Sequence, residues 1–71
     1  MLGQPRRALI EARKAKFAST FAFARALSVH RATAWRWERG LLDPSKAKAE
    51  EIARLLERPV EELFGDTPTG T

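Results

Sequence analysis

Apolar side chains recur along this chain at helical spacing. Leu9 with Ala12, then Phe23, Ala24 and Leu27, then Ala34 with Trp37, each fall on one face of a 3.6-residue repeat. Ala49, Ile52, Ala53 and Leu56 do the same further on, and Val60, Leu63 and Phe64 complete one more short helical stretch. The segments are too rich in alanine for strands, and punctuation fixes their ends. Pro5 suits a first helical turn, where its missing N–H costs nothing, so a first helix is predicted from there to about Lys16. Ser19 is placed to cap a second helix ending near Ala26. Ser28 or His30 opens a third, which Gly40 ends. Leu41-Leu42-Asp43-Pro44 reads as a loop, because Pro44 biases Asp43 away from helix, and Ser45 caps a fourth helix to about Leu56. The expected architecture is all-α, a compact four- to five-helix domain over residues 1–65. The tail Asp66–Thr71 has nothing to bury and is expected to be disordered.

Composition narrows the picture. Seventy-one residues suffice for one domain with a modest core. Without cysteine there is neither a disulfide framework nor a thiolate metal site, and the one histidine cannot build a zinc centre. His30 is expected to act as a local helix cap. No cofactor is expected, and no enzyme, because no acid, base and nucleophile can be assembled from these residues. The chain shows no signal-peptide pattern and no apolar run approaching the roughly 18 residues of a membrane span, so a soluble cytoplasmic protein is expected.

Charge is unevenly spread. Residues 1–40 hold nine basic and two acidic groups, a net +7, whereas residues 41–71 hold four basic and seven acidic groups, a net −3. A basic half joined to an acidic half suggests a face for a polyanion. Two short helices joined by a tight turn at Ser28 would let the second protrude into a DNA major groove. Ala24 supplies the small residue needed where such helices cross, Val29 an apolar anchor after the turn, and Ala34 with Trp37 the inward pair of the second helix.

The run Phe23-Ala24-Arg25-Ala26-Leu27-Ser28-Val29-His30-Arg31-Ala32-Thr33-Ala34-Trp35-Arg36-Trp37-Glu38-Arg39-Gly40, followed by Asp43-Pro44-Ser45, resembles the lambda-repressor-like (Xre-type) helix-turn-helix regulators of phages and bacteria. Ile52-Ala53-Arg54-Leu55-Leu56 and Val60-Glu61-Glu62-Leu63-Phe64 continue in register, so the resemblance spans roughly residues 9–64. It implies a five-helix domain that binds DNA through its third helix, and a structural ion pair between Arg13 and Glu38. The chain departs from the family's pattern at four places. Ser28 stands at a turn where the family usually has glycine, and a left-handed backbone is less comfortable for serine. Thr20 replaces a glutamine that often meets the phosphate backbone. Trp35 replaces a small polar residue of the recognition helix, and Glu57-Arg58-Pro59 replaces the usual Gly-Val-Ser.

With Ala34 and Trp37 inward, a rotation of 100° per residue points Ala32, Trp35, Arg36 and Arg39 away from the core. Arg31 lies in the first turn, where recognition helices commonly meet base edges. Arg31, Ala32, Trp35 and Arg36 are therefore the expected base contacts: arginine reaches guanine O6 and N7, and an alanine methyl suits a thymine methyl. Ser19, Thr20, Thr33 and Arg39 are the expected phosphate contacts. Arg6, Arg7, Lys14 and Lys16 read as solvated charge that adds to electrostatic attraction. Neighbouring tryptophans cannot both face the core; a register that buries Trp35 and exposes Trp37 is the alternative.

The expected function is sequence-specific recognition of double-stranded DNA by a repressor-like transcriptional regulator. It would act as a homodimer, with Val60, Leu63 and Phe64 as candidate dimer contacts or as closure of the monomer's own core. Two rival readings remain. Phe17 and Phe21, spaced to stack on one helical stripe, either widen an alanine-thinned core or form a patch for RNA polymerase or another regulator. An excisionase- or MerR-like DNA-architectural protein, suggested by Trp35-Arg36-Trp37-Glu38-Arg39-Gly40, would need strands or a wing after Gly40.

Overall fold

Three helices in this chain begin where a side chain accepts a free N–H of the first turn. A computed structural model describes residues 4–64, and within them runs the order α1 (Arg7–Lys16), α2 (Thr20–Ala26), α3 (Arg31–Arg39), α4 (Lys46–Leu56) and α5 (Val60–Phe64), with no strand among the described residues. Ser19 Oγ accepts from Ala22 N–H at 3.1 Å, His30 Nδ1 from Ala32 N–H at 3.0 Å, and Ser45 Oγ from Lys48 N–H at 3.1 Å. The fold is all-α. The tail at 66–71 lies outside the described residues.

Helix α1 begins at Arg7, later than the position of Pro5 suggests. Arg6 has φ −87° and ψ 89°, and its N–H donates to the Glu38 carbonyl at 2.8 Å, near the end of α3. Arg6 is the N-cap: its carbonyl accepts from Ile10 N–H at 3.0 Å, while its non-helical backbone angles keep Pro5 outside the helix.

Three helices stop in the same way. Ser28, Gly40 and Glu57 each adopt the left-handed conformation, with φ of 59°, 75° and 60°. The residue after each returns its N–H five residues back: Val29 to Ala24, Leu41 to Arg36, Arg58 to Ala53, at 3.0, 2.9 and 3.1 Å. Gly40 meets both demands of its position, since a Cβ there would lie 2.1 Å from the Gln4 carbonyl oxygen. Ser28 and Glu57 carry the left-handed strain, of order 1–2 kcal/mol for an L-residue. We therefore expect Ser28→Gly to raise stability by about 1 kcal/mol, or roughly 4–8 °C in Tm. Gly40→Ala should lower stability by about 2 kcal/mol, and equal melting of both variants with the parent would contradict this reading of the stops.

The core draws on every helix. Leu9, Phe23, Leu27, Ile52 and Leu63 are fully buried, joined by Ala12, Ala24, Ala34, Trp37 and Leu56. Helix α2 packs chiefly on α3, while α1 is flanked by α5, α3 and α4. The radius of gyration, 11.1 Å, agrees with the ~11 Å of a packed chain of this length. Ala53 is only half-buried, at the margin of the core.

Arg6 ties the ends of the fold together. Its guanidinium donates to the Trp37 and Leu42 carbonyls, pairs with Asp43, and lies over the Phe64 ring, 5.4 Å from its centroid. Arg6 is thus a clamp on the C-terminal end of α3, not solvated charge. Lys16 likewise pairs with Glu57 at 2.8 Å, and that ammonium holds the Glu57 carboxyl below its ordinary pKa. A lowered carboxyl pKa contributes above the unfolded-state value and is lost as pH falls through the folded one. With both side chains in contact with solvent, the pair is a minor support.

Candidate nucleic-acid interface

The orientation of α3 is set by what its two inward residues leave outside. Ala34 is fully buried and Trp37 is 4% exposed, whereas Trp35 is 45% exposed. The alternative register, with Trp35 inside, is not the one adopted. Arg31, Trp35, Arg36 and Arg39 form the solvent side of α3, with Ala32 and Thr33 half-buried at its edges.

Glu38, although charged, is 4% exposed because its partners go in with it. Arg13 Nε donates to Oε2 at 3.0 Å and Arg13 Nη2 faces Oε1 at 3.4 Å, a two-pronged pair joining α1 to α3. Thr20 Oγ1 donates to the same carboxylate, 3.1 Å from Oε1 and 3.3 Å from Oε2. Three helices thereby meet on one carboxylate, and no buried side-chain polar atom among the described residues lacks a partner.

This geometry corrects the expectation for Thr20. Its hydroxyl proton points inward to Glu38, so the side chain is spent on the fold and not offered to a phosphate. Ser19 is exposed; its oxygen accepts the capping N–H. Thr33 is half-buried and Arg39 exposed, with the Arg39 guanidinium 5.5 Å from the centre of the Trp35 ring.

The beginnings of α2 and α3 enclose an open depression of about 430 Å³, lined by Ser19, Thr20, Phe21, Arg31, Ala32 and Trp35. A second cleft of about 350 Å³ separates α1 from α3, with Lys14, Thr20, Trp35 and Arg39 on its walls. Trp35 and Thr20 line both.

The charges of this face are of one sign. Five basic groups of the fold pair with carboxylates, Arg6 with Asp43, Arg13 with Glu38, Lys16 with Glu57, Lys48 with Glu51 and Arg58 with Glu62, while Arg7, Lys14, Lys46 and Arg54 do not among the described residues. The only acid of α2 and α3, Glu38, is buried, so no carboxylate is exposed on that helix pair. Arg25, Arg31, Arg36 and Arg39 have no carboxylate partner among the described residues. Arg25 instead lies over Phe21, 5.9 Å from the ring centroid, repeating four residues apart on α2 the arrangement of Trp35 and Arg39 on α3.

The two phenylalanines singled out above part company. Phe17 ends α1 in an extended conformation, is half-buried, and packs on Phe23 at a centroid distance of 5.8 Å. Phe21 belongs to α2 and is 52% exposed. Their four-residue spacing never acts, because the helix breaks between them. Phe21 and Arg25 join the α3 face instead, a placement signalled by the Ser19 cap, which sets Phe21 in the first turn of α2. Of the candidate dimer contacts, Leu63 is 1% exposed and belongs to the monomer's core, while Val60 and Phe64 are half-buried at its rim. The wing that an architectural protein would carry after Gly40 is not found; the loop leads directly to α4.

Among the described residues no three His, Asp or Glu side chains gather as metal ligands, and no helix is long and apolar enough to cross a membrane. Compared with protein-family models, curated proteins and solved structures, the chain matches none.

Proposed function

We propose that this chain is a sequence-specific, repressor-like transcriptional regulator that binds double-stranded DNA with the α2–α3 pair acting as a helix-turn-helix. The observation that carries the reading is the row of exposed arginines Arg25, Arg31, Arg36 and Arg39 on a helix pair whose only acid, Glu38, is buried against Arg13. Unbalanced cations gathered on one side are what a polyanion repays, through counterion release. The resemblance of residues 9–64 to lambda-repressor-like regulators supports the same assignment.

In this reading α3, about 14 Å long at 1.5 Å per residue, enters the major groove. Arg31 and Arg36 address guanine O6 and N7, and Ala32 and Trp35 offer apolar contact to pyrimidine methyls. Arg39, Arg25, Ser19 and Thr33 face the phosphates and fix the register without reading sequence. A homodimer sets two such helices on half-sites about one helical turn apart. Val60 and Phe64, half-buried, are the apolar α5 residues that retain some surface to join the copies.

Selection of bound duplexes from a random pool, followed by affinity at two salt concentrations, tests the proposal. An enriched palindrome is the expected result. Arg31→Ala and Arg36→Ala should each cost about 1–3 kcal/mol and relax preference at one position, whereas Arg39→Ala should weaken all sequences alike and flatten the salt dependence by about one unit. Recovery of no preferred sequence would overturn the proposal.

A further inference from the structure

We propose that the depression between α2 and α3 is a receptor for the C5-methyl group of a pyrimidine in the major groove, walled by Phe21 and Trp35 and floored by Ala32. The inference rests on the DNA-binding reading and assigns this part of the surface a ligand group.

Phe21 and Trp35 are half exposed although each could bury a large apolar area, and they come from different helices to the same depression. Of the hydroxyls at its edge, Thr20 donates inward to Glu38 and Ser19 accepts from Ala22 N–H, keeping its proton for a phosphate; Phe21, Ala32 and Trp35 supply the apolar part of the lining. The floor therefore selects for an apolar group. Arg31 lies on the rim, and Arg25 and Arg39 lie over the outer aromatic rings. An apolar protein segment would gain nothing from this cationic surround, whereas a polyanion that presents an apolar group would meet both features.

The major-groove edges of duplex DNA offer one such group, the methyl at C5 of thymine. A methylated cytosine carries the same group at the same ring position. Arg31 beside the notch addresses O6 and N7 of a guanine, so the preferred step pairs a 5-methylpyrimidine with a neighbouring guanine. Phe21 lies on α2 and not on α3; the selectivity is a property of the helix pair, and this gives the inference its own test.

The test uses the consensus duplex selected above. Each thymine is replaced in turn by uracil, which removes only the methyl, and each cytosine in turn by 5-methylcytosine. We expect one position per half-site at which loss of the methyl weakens binding roughly fourfold. In Phe21→Ala and Trp35→Ala, both exposed substitutions that should melt close to the parent, that difference should shrink towards none. A sensitive thymine identifies thymine as the source, and a gain only on cytosine methylation identifies 5-methylcytosine. A consensus insensitive to every methyl, or a methyl preference unchanged in both variants, overturns the inference while leaving the proposed function intact. A pool with no enriched sequence removes both.

Discussion

Glu38→Ala is expected to destabilise the protein by about 3–5 kcal/mol, the cost of leaving a buried charge without its partner. Arg13 is 8% exposed, and its Nε and Nη2 would lose the carboxylate they face. The Thr20 hydroxyl would lose its acceptor in the same step. A domain of this length holds only about 4–10 kcal/mol in total, so the variant should be largely unfolded at modest temperature. Replacing both charges, as in Arg13→Met with Glu38→Leu, should recover most of the loss, because an apolar pair of similar volume carries no desolvation penalty. Thermal and urea melts of the single and double variants distinguish the cases. A single variant that melts with the parent would show that the carboxylate holds nothing together.

Trp37→Ala and Trp35→Ala should behave as opposites although the residues are two apart. Trp37, 4% exposed, belongs to the same core cluster as Ala34 and Phe23, and its truncation should cost about 3–5 kcal/mol. Trp35, 45% exposed, loses little on truncation, within about 1 kcal/mol, mostly its contact with Arg39. The functional effect should be reversed: Trp35→Ala should alter site preference in a folded protein, while Trp37→Ala should lose binding only in proportion to the fraction unfolded. A stable Trp37→Ala with changed specificity would exchange the two roles.

Local chemistry made most of the fold legible. Ser19, Ser45 and Gly40 announce their helix ends through groups that satisfy, or backbone that tolerates, a specific local geometry, and the apolar period places Leu9, Phe23, Ile52 and Trp37 inside. What stayed hidden depends on residues far apart in sequence. Arg6 reads as one more surface cation, since nothing nearby announces that the Trp37 and Leu42 carbonyls and Asp43 lie within its reach. Glu57 was not expected to turn left-handed, because the stop it makes is set by the return bond from Arg58 to Ala53 and the pair with Lys16, not by any glycine.

The candidate site divides along the same line. The outward set of α3 follows from 100° steps once Ala34 and Trp37 are inside, so Trp35, Arg36 and Arg39 are identifiable from spacing alone, and Arg31 from its place in the first turn. Thr20 was misassigned because a threonine at a helix start suits both a phosphate and a buried carboxylate, and only packing decides. Phe17 and Phe21 were grouped by a spacing that holds within one helix, yet an extended residue separates their helices.

The claim on which everything functional depends is that the outward side of α3 meets DNA, and the two tryptophans report on it directly. In a titration of isotope-labelled protein with the selected duplex, followed by amide and indole N–H signals, the Trp35 indole should shift strongly together with the Arg31, Ala32 and Arg36 amides. The Trp37 indole and the amides of α4 should stay nearly fixed. Shifts centred on α4 and α5 with an unmoved Trp35 signal would contradict the account.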